Sequence, residues 1–420
     1  VTRPGSELAL SLRELDPAIA DLIEAEERRQ NQSLDLVASE NFVPKAVLEA
    51  QGSVLTNKYA DGYPGAREYD GCAIVDAIEE LAIERAKALF GAEHANVQAY
   101  SGSNANAAVL HALCQPGDVV LGWDFNEGGH PSHYAGETFA GRFYEGFAYG
   151  VRKDDFLVDM DEVAALARRH RPKVIFAGWS CYSRHLDFGA FRAIADEVGA
   201  YLVCDMAHFA GLVAAKLHPS PVPYADVCTM TVHKTLGGAR GGAILCRAEL
   251  AERIDAAVFP GEQGGPLMQV IAGKAVSFAL AERQEFAARM ARTIAGARTL
   301  AAKLVAAEDE TKMHVRTGGT DVHQFHLDVA PSGRDANEVH RFLQSIGMNA
   351  NAMRISGDVR EAPGCSGIRL GSTSLATRGF VGADFELLGD LLVEALRPGA
   401  DAHEADLSAR VLALAESHRV

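Results

Sequence analysis

The sequence predicts an α/β fold in which a mostly parallel sheet lies between helices and a smaller α+β region follows. Three observations carry that expectation. Between about residues 73 and 250, runs at helical spacing alternate with short β-rich runs. Those β-rich runs are apolar throughout instead of alternating, which is the pattern of strands buried on both faces. The chain has 420 residues, more than one core serves, so about two to three domains are expected.

Taken in order, the first 35 residues read as a helical arm. Asp16-Pro17 supplies an N-cap and a proline at the first helical position, and Ile19, Leu22 and Ile23 repeat at helical spacing. Ala73 to Phe90 reads as a helix and Asn96 to Tyr100 as a strand. Ser103 to Cys114 is a helix, stopped by the turn Gln115-Pro116-Gly117-Asp118. Val119 to Trp123 and Lys173 to Trp179 are strands. Asp187 to Val198 is a helix feeding the strand Tyr201 to Cys204, and strands at Val227 to Thr231 and Gly242 to Cys246 follow. One long helical stretch, Pro266 to Ala306, leads onward. Beyond it, strands at Met313 to Arg316, Val322 to Val329 and Ile368 to Gly371 mix with helices at Ala336 to Ile346 and Asp384 to Leu396. The expected domains are an arm over 1–45, a large domain over 46–285 and a small C-terminal α+β domain over 286–420.

Composition excludes several function classes. The 56 acidic residues outnumber the 40 Lys and Arg, for a net charge of −16, which counts against nucleic acid or an anionic membrane as a partner. Hydrophobic residues at 48% and charged residues at 23% are those of a globular chain. No apolar run approaches the roughly 18 residues of a membrane span. Val1-Thr2-Arg3-Pro4-Gly5 shows no secretory h-region, so a cytoplasmic protein is expected. The seven cysteines are scattered with no CxxC pair, which points to reduced core thiols and not to a zinc site.

Three features fall at strand ends, where open α/β sheets bind ligands. Ser101-Gly102-Ser103 opens a helix directly after a strand, and free backbone N–H groups there cradle an anion. Read blandly, it is an N-cap by Ser103. Asp205 emerges from the apolar strand Tyr201-Leu202-Val203-Cys204, with His208 one turn on. Lys234 follows the strand at 227–231 and precedes a glycine-rich run, Gly237 to Gly242. A desolvated lysine has a lowered pKa and becomes a carbonyl nucleophile. An anion cradle, an acid and a lysine at neighbouring strand ends suit pyridoxal phosphate, the acid keeping the pyridine nitrogen protonated. The P-loop and dinucleotide fingerprints are absent. His130 and His133 are three apart with no carboxylate at metal-ligand spacing, so no metal is expected.

At this point the chain resembles the serine hydroxymethyltransferase family over almost its whole length. The matching stretches are Leu36-Val37-Ala38-Ser39-Glu40-Asn41, Asn57 to Gly65, Ser101-Gly102-Ser103-Asn104-Ala105-Asn106 and Gly128-Gly129-His130. Asp205 to Ala215, His233-Lys234-Thr235-Leu236, Gln263-Gly264-Gly265-Pro266-Leu267-Met268 and Ser366 to Gly371 complete them. The resemblance implies a fold-type I pyridoxal phosphate transferase, with a mostly parallel, seven-stranded sheet between helices and a smaller α+β C-terminal domain. It implies tetrahydrofolate as co-substrate, an amino acid substrate, and a homodimer or larger assembly whose subunits share the active site.

Residue by residue, the resemblance makes Lys234 the Schiff-base lysine, Asp205 the partner of the pyridine nitrogen and His130 the ring-stacking histidine. Ser101, Gly102 and Ser103 would hold the phosphate, with Gly264 and Gly265 supplied by a neighbouring subunit. His208 and Ser180 would lie near the phenolic oxygen, and Thr231 beside the lysine. Arg369 with Ser39 would clamp the substrate carboxylate, a task suited to a guanidinium fork. Tyr59, Asp61 and Tyr69 would reach in from the other subunit, with Arg240 near Tyr59. Asp61 would move the hydroxyl proton and Tyr59 the Cα proton. His233 would support Lys234, Tyr63 and Pro64 would as readily shape a turn as touch substrate, and Cys181 and Tyr182 would be core.

Four departures bear on the substrate. The family usually has glutamate where Asp61 stands, tyrosine where Glu68 stands, leucine-type residues where Phe125 and Pro131 stand, and a threonine-rich run where Thr229-Met230-Thr231-Val232 stands. A carboxylate withdrawn by one methylene leaves room for a methyl on Cα. On that ground the sequence reading leans toward α-methylserine and D-alanine as the substrate pair. Its alternatives are an ordinary serine/glycine enzyme or a folate-independent aldolase or transaldolase. Asn351 is a loose match to a folate-contacting asparagine, because the segment 349–365 reads as holding an insertion.

Overall fold

The computed structural model describes residues 7–420 apart from Val359 and Ala362. The segment Val1 to Gly5, read above for a leader, lies outside the described residues. Among the described residues no helix is long and apolar enough to cross a membrane.

The centre is a seven-stranded sheet. Its strands in chain order are β1 (His94–Asn96), β2 (Val119–Trp123), β3 (Glu145–Tyr149), β4 (Val174–Gly178), β5 (Tyr201–Asp205), β6 (Val227–Thr231) and β7 (Gly242–Cys246). They lie in the order β1-β7-β6-β5-β4-β2-β3. Strand β7 runs antiparallel to both β1 and β6, and the other pairings are parallel. Successive residues feed opposite faces: Leu202 and Cys204 of β5 enter one core, Val203 the other. Helices cover both faces, so the strands read as continuous apolar runs. The register sets Gly178, Asp205 and Thr229 side by side at the carboxyl ends.

Helix boundaries follow their caps. The arm helix Pro17–Gln32 starts where Asp16 Oδ1 accepts from Ile19 N at 3.1 Å. Helix Ala73–Phe90 stops at Gly91, which takes φ +69°. Helix Gly102–Leu113 is capped by Ser101, two residues before the Ser103 cap read from sequence.

Three expectations are corrected. The strand read over 96–100 occupies only His94–Asn96, because the carbonyls that follow are taken by side chains. Lys274 Nζ donates to Val97 O and Ala99 O, and Gln263 Nε2 to Gln98 O. The long stretch 266–306 is two helices, Met268–Ala281 and Gln284–Ala306, broken at Glu282-Arg283. The first packs on helix Ala73–Phe90 and the second on helix Gly382–Leu396. The second bridges two cores, with Phe286, Met290 and Ile294 in that of the large sheet and Leu300 and Leu304 in the other. Edge strand β3 went unread because Glu145 and Gly146 are exposed and break the apolar run.

The second sheet is antiparallel, with strands β8 (His314–Val315), β9 (Gln324–Asp328), β10 (Asn351–Met353) and β11 (Gly367–Gly371) in the order β8-β9-β11-β10. Helices Ala336–Ser345 and Gly382–Leu396, with Leu300, Ala301 and Leu304 of helix Gln284–Ala306, bury their apolar residues with it. Leu34 and Leu36 belong to this core, and Leu34-Asp35 pairs in parallel with Met348-Asn349. That pairing brings Ser39 across to Arg369 of β11.

Candidate active site

Asp205 ends β5 and is buried. Its Oδ1 accepts from Ala207 N at 3.0 Å. Its Oδ2 accepts from Asn106 Nδ2 at 2.9 Å and His133 Nε2 at 3.0 Å. Burial alone would raise this carboxyl, but His133, His130 and Asn106 hold it well below the usual carboxylate range. The His133 ring stacks on Phe176 at 4.5 Å and 4°, which fixes its direction.

Lys234 lies in the loop after β6, and Asn41 Nδ2 donates to its carbonyl at 2.9 Å. Burial lowers its ammonium from 10.5 to about 8, with Asp205 pulling it up and Arg369 pushing it down. An amine in that range supplies a useful neutral fraction near neutral pH. Beside it, His233 Nδ1 accepts from Gly241 N, so His233 shapes the glycine-rich loop. Arg240 is exposed and its charge bears on both His233 and Lys234.

The cradle is tight. A Cβ on Gly102 would lie 2.8 Å from Thr231 Cγ2, so only glycine lets the helix start approach β6. Ser101 Oγ is engaged in capping, accepting from Asn104 N and donating to Asn104 Oδ1. Ser103 is exposed, and Thr231 Oγ1 donates to Ala207 O at 3.3 Å. His130 is mostly buried, and burial lowers its ring to about 4, so it is neutral at pH 7. His208 is buried with Nε2 lacking a partner, while Nδ1 stands 3.4 Å from His323 Nε2. Ser180 contributes its carbonyl, which accepts from Arg369 Nη1 and Gln324 Nε2.

Arg369 is the buried cation of the second sheet. Nη2 donates to Asn351 Oδ1 at 2.8 Å and Ser39 Oγ at 3.4 Å, while Nε has no partner. Asn351, linked above to folate, therefore orients this guanidinium. The β10–β11 register places it directly opposite. Cys181 is buried as expected, yet its sulfur lies 3.3 Å from Arg369 Nη1 and so faces the clamp. Tyr182 is core, accepting from Val158 N.

A second group sits apart. Tyr59 and Tyr69 are 58% and 48% exposed, with rings 5.0 Å apart. A Cβ on Gly265 would lie 2.9 Å from Asp61 Oδ1, an atom that is buried without a partner. Arg67 donates to Ala60 O and Gly62 O, the carbonyls on either side of Asp61, and pairs with Glu79 at 2.6 Å. Gly264 is exposed, and Tyr100 Oη donates to Gly265 O at 2.7 Å. Tyr63 is structural, since its hydroxyl donates to Asp255 O. Glu68 and Phe125 are exposed.

The chain is similar to known proteins over nearly its whole length. The model of the family described as serine hydroxymethyltransferase matches residues 12–392. The chain belongs to the serine hydroxymethyltransferase family. It is 56% identical over 407 residues to a serine hydroxymethyltransferase of Clavibacter sepedonicus, covering 96% of this chain and 95% of that one. It is 56% identical to one of Nocardia farcinica, covering 97% and 94%. It is 53% identical to serine hydroxymethyltransferase 2 of Mycobacterium tuberculosis, covering 96% of each. The family has the fold-type I architecture and uses pyridoxal phosphate, with tetrahydrofolate as co-substrate.

The residues present fit that cofactor. The glycine cradle, the ionised Asp205, the orphaned His208 Nε2 and the depressed Lys234 stand at neighbouring strand ends. Sequence reading named these but missed the groups that orient them. Asn106 lay inside a quoted stretch, and His133 showed only as the second histidine of the pair.

Proposed function

We propose that this chain transfers the hydroxymethyl group between L-serine and tetrahydrofolate, leaving glycine. Hydroxymethyl transfer with pyridoxal phosphate and tetrahydrofolate belongs to the family. The choice of serine rests on relatives of that name at 53–56% identity over nearly whole chains. The single structural observation that supports the reading is that Arg369 of the second sheet reaches the strand ends of the first, where its Nη1 donates to Ser180 O at 3.2 Å and its charge helps lower the Lys234 ammonium.

When bound, pyridoxal phosphate accepts the electron pair left on Cα as the Cα–Cβ bond breaks. Lys234 would supply the neutral amine that holds the cofactor through its carbonyl. Asp205, held ionised, would accept a hydrogen bond from the ring nitrogen and keep it protonated. Arg369 binds the substrate carboxylate through the guanidinium fork that Asn351 and Ser39 orient. Asp61 takes the hydroxyl proton, and Tyr59 serves the proton at Cα.

We assign Tyr59, Asp61, Tyr69, Gly264 and Gly265 to the site of a second copy of the chain. The exposed tyrosines form one face with Asp61 and Gly265, as a half-site offered outward would. A homodimer then holds two complete sites.

The leaning toward α-methylserine yields to serine on the weight of the relatives. It keeps one support, the carboxylate of Asp61, one methylene short of the family's usual glutamate. Turnover of L-serine and α-methyl-L-serine, each with and without tetrahydrofolate, tests both. Folate-dependent turnover of serine at least tenfold faster is expected. Preference for α-methylserine would overturn the substrate assignment, and folate-independent turnover would move the chain to the aldolases.

A further inference from the structure

Behind Asp205 and His130 runs a chain of buried side chains. Thr229 Oγ1 donates to Asn106 Oδ1 at 2.6 Å. Asn106 Nδ2 has two N–H bonds, directed to Asp205 Oδ2 at 2.9 Å and Ser132 Oγ at 2.9 Å. Ser132 Oγ is 2.7 Å from His130 Nδ1. Asn106, Ser132 and Thr229 are 1%, 9% and 0% exposed, so water does not compete for these bonds.

The direction of each bond follows from donor inventory. An ionised Asp205 only accepts, so the amide nitrogen of Asn106 faces it. The amide oxygen then faces Thr229, whose hydroxyl must donate. Ser132 Oγ accepts from Asn106, which leaves its own proton available for His130 Nδ1. Independently, the Ser132 backbone N–H stands 3.3 Å from the same nitrogen and can only donate. That backbone donor requires a bare Nδ1, the hydroxyl then donates to the same nitrogen, and a neutral ring carries its proton on Nε2.

We propose that Asn106 and Ser132 are positioning residues that lock His130 in the Nε2–H tautomer and tie its ring to the ionised state of Asp205. The inference deepens the site reading above, resting on Asp205 and His130 as the groups that meet pyridoxal phosphate. In this arrangement His130 offers the cofactor side an N–H donor, never a lone pair. The ring that stacks and the acid that holds the pyridine nitrogen are then fixed by one amide.

The test uses ¹⁵N-histidine-labelled full-length protein, with and without pyridoxal phosphate, the His130 signals assigned by their loss in His130→Asn. Nε2 is expected to be protonated and Nδ1 bare near pH 7 in both states. Ser132→Ala leaves only the longer backbone donor and is expected to let an Nδ1-protonated ring appear beside the parent tautomer, and Ser132→Thr, which keeps the hydroxyl, to restore the single one. Asn106→Ala is expected to mix them too. It should also raise the dissociation constant for pyridoxal phosphate about tenfold or more, as loss of a hydrogen bond to a charged group does. A protonated Nδ1 in the parent protein overturns the proposal, as does a tautomer unchanged in both alanine variants. If Asn106→Ala does not fold, the Ser132→Ala and Ser132→Thr pair decides. A parent protein that binds no pyridoxal phosphate would instead sink the site reading, while its tautomer still tests the hydrogen-bond chain.

Discussion

Replacing Lys234 with methionine is expected to stabilise the cofactor-free protein at neutral pH, and the gain is expected to vanish as the pH rises. The buried ammonium titrates at about 8 where an exposed lysine titrates at 10.5, because burial and Arg369 outweigh the attraction of Asp205. At about 1.4 kcal/mol for each tenfold change in proton affinity, the folded chain carries a cost of about 3 kcal/mol for this side chain. Below pH 8 both folded and unfolded chains hold the proton, so the cost is present in full. Between pH 8 and 10.5 the folded chain has released it while the unfolded chain has not, and the cost falls by about 1.4 kcal/mol per pH unit. Methionine has similar length and no charge, so its variant escapes the cost at every pH. The assay is urea unfolding of both proteins, stripped of pyridoxal phosphate and at one protein concentration, from pH 7 to pH 10. Methionine should lead by about 3 kcal/mol at pH 7, with the gap mostly closed at pH 10. Packing differences add a constant, so the slope is the discriminating quantity. A gap that does not change with pH would refute the argument.

Other outcomes follow from single contacts. Gly102→Ala places a Cβ 2.8 Å from Thr231 Cγ2, so pyridoxal phosphate affinity measured by fluorescence titration should fall. Adding Thr231→Ser, which removes that methyl, should recover most of it. Lys274→Met should lower the unfolding free energy by about 3 kcal/mol or more, because Val97 O, Ala99 O and Gly242 O each lose a hydrogen bond from the ammonium, with Ala99 O keeping only Gly242 N. Gly265→Ala brings a Cβ to 2.9 Å from Asp61 Oδ1, and kcat for serine cleavage should fall while pyridoxal phosphate still gives its colour.

Much of the sheet was legible because each strand is buried on both faces. Strands β2, β6 and β7 were read with their observed ends, since an apolar run flanked by turn residues has few alternatives. The reading failed where side chains replace ladder partners, as Lys274 and Gln263 do after β1, and where an edge strand keeps a polar half, as β3 does. The site was legible as residue types in order. Its orientation was not, because Asn351 on Arg369, Cys181 against the same guanidinium and His133 on Asp205 join residues distant in the chain.

Local chemistry and pattern are enough to place a lysine, an acid and a glycine cradle at strand ends, and to suggest the family from their order. These depend on neighbours in sequence, and a sequence states neighbours directly. The ionised state of Asp205, the depressed amine of Lys234 and the tautomer of His130 depend instead on burial and on hydrogen bonds that span up to 123 positions. Only the packed sheet brings those partners within 3 Å and removes the water that would otherwise take their place.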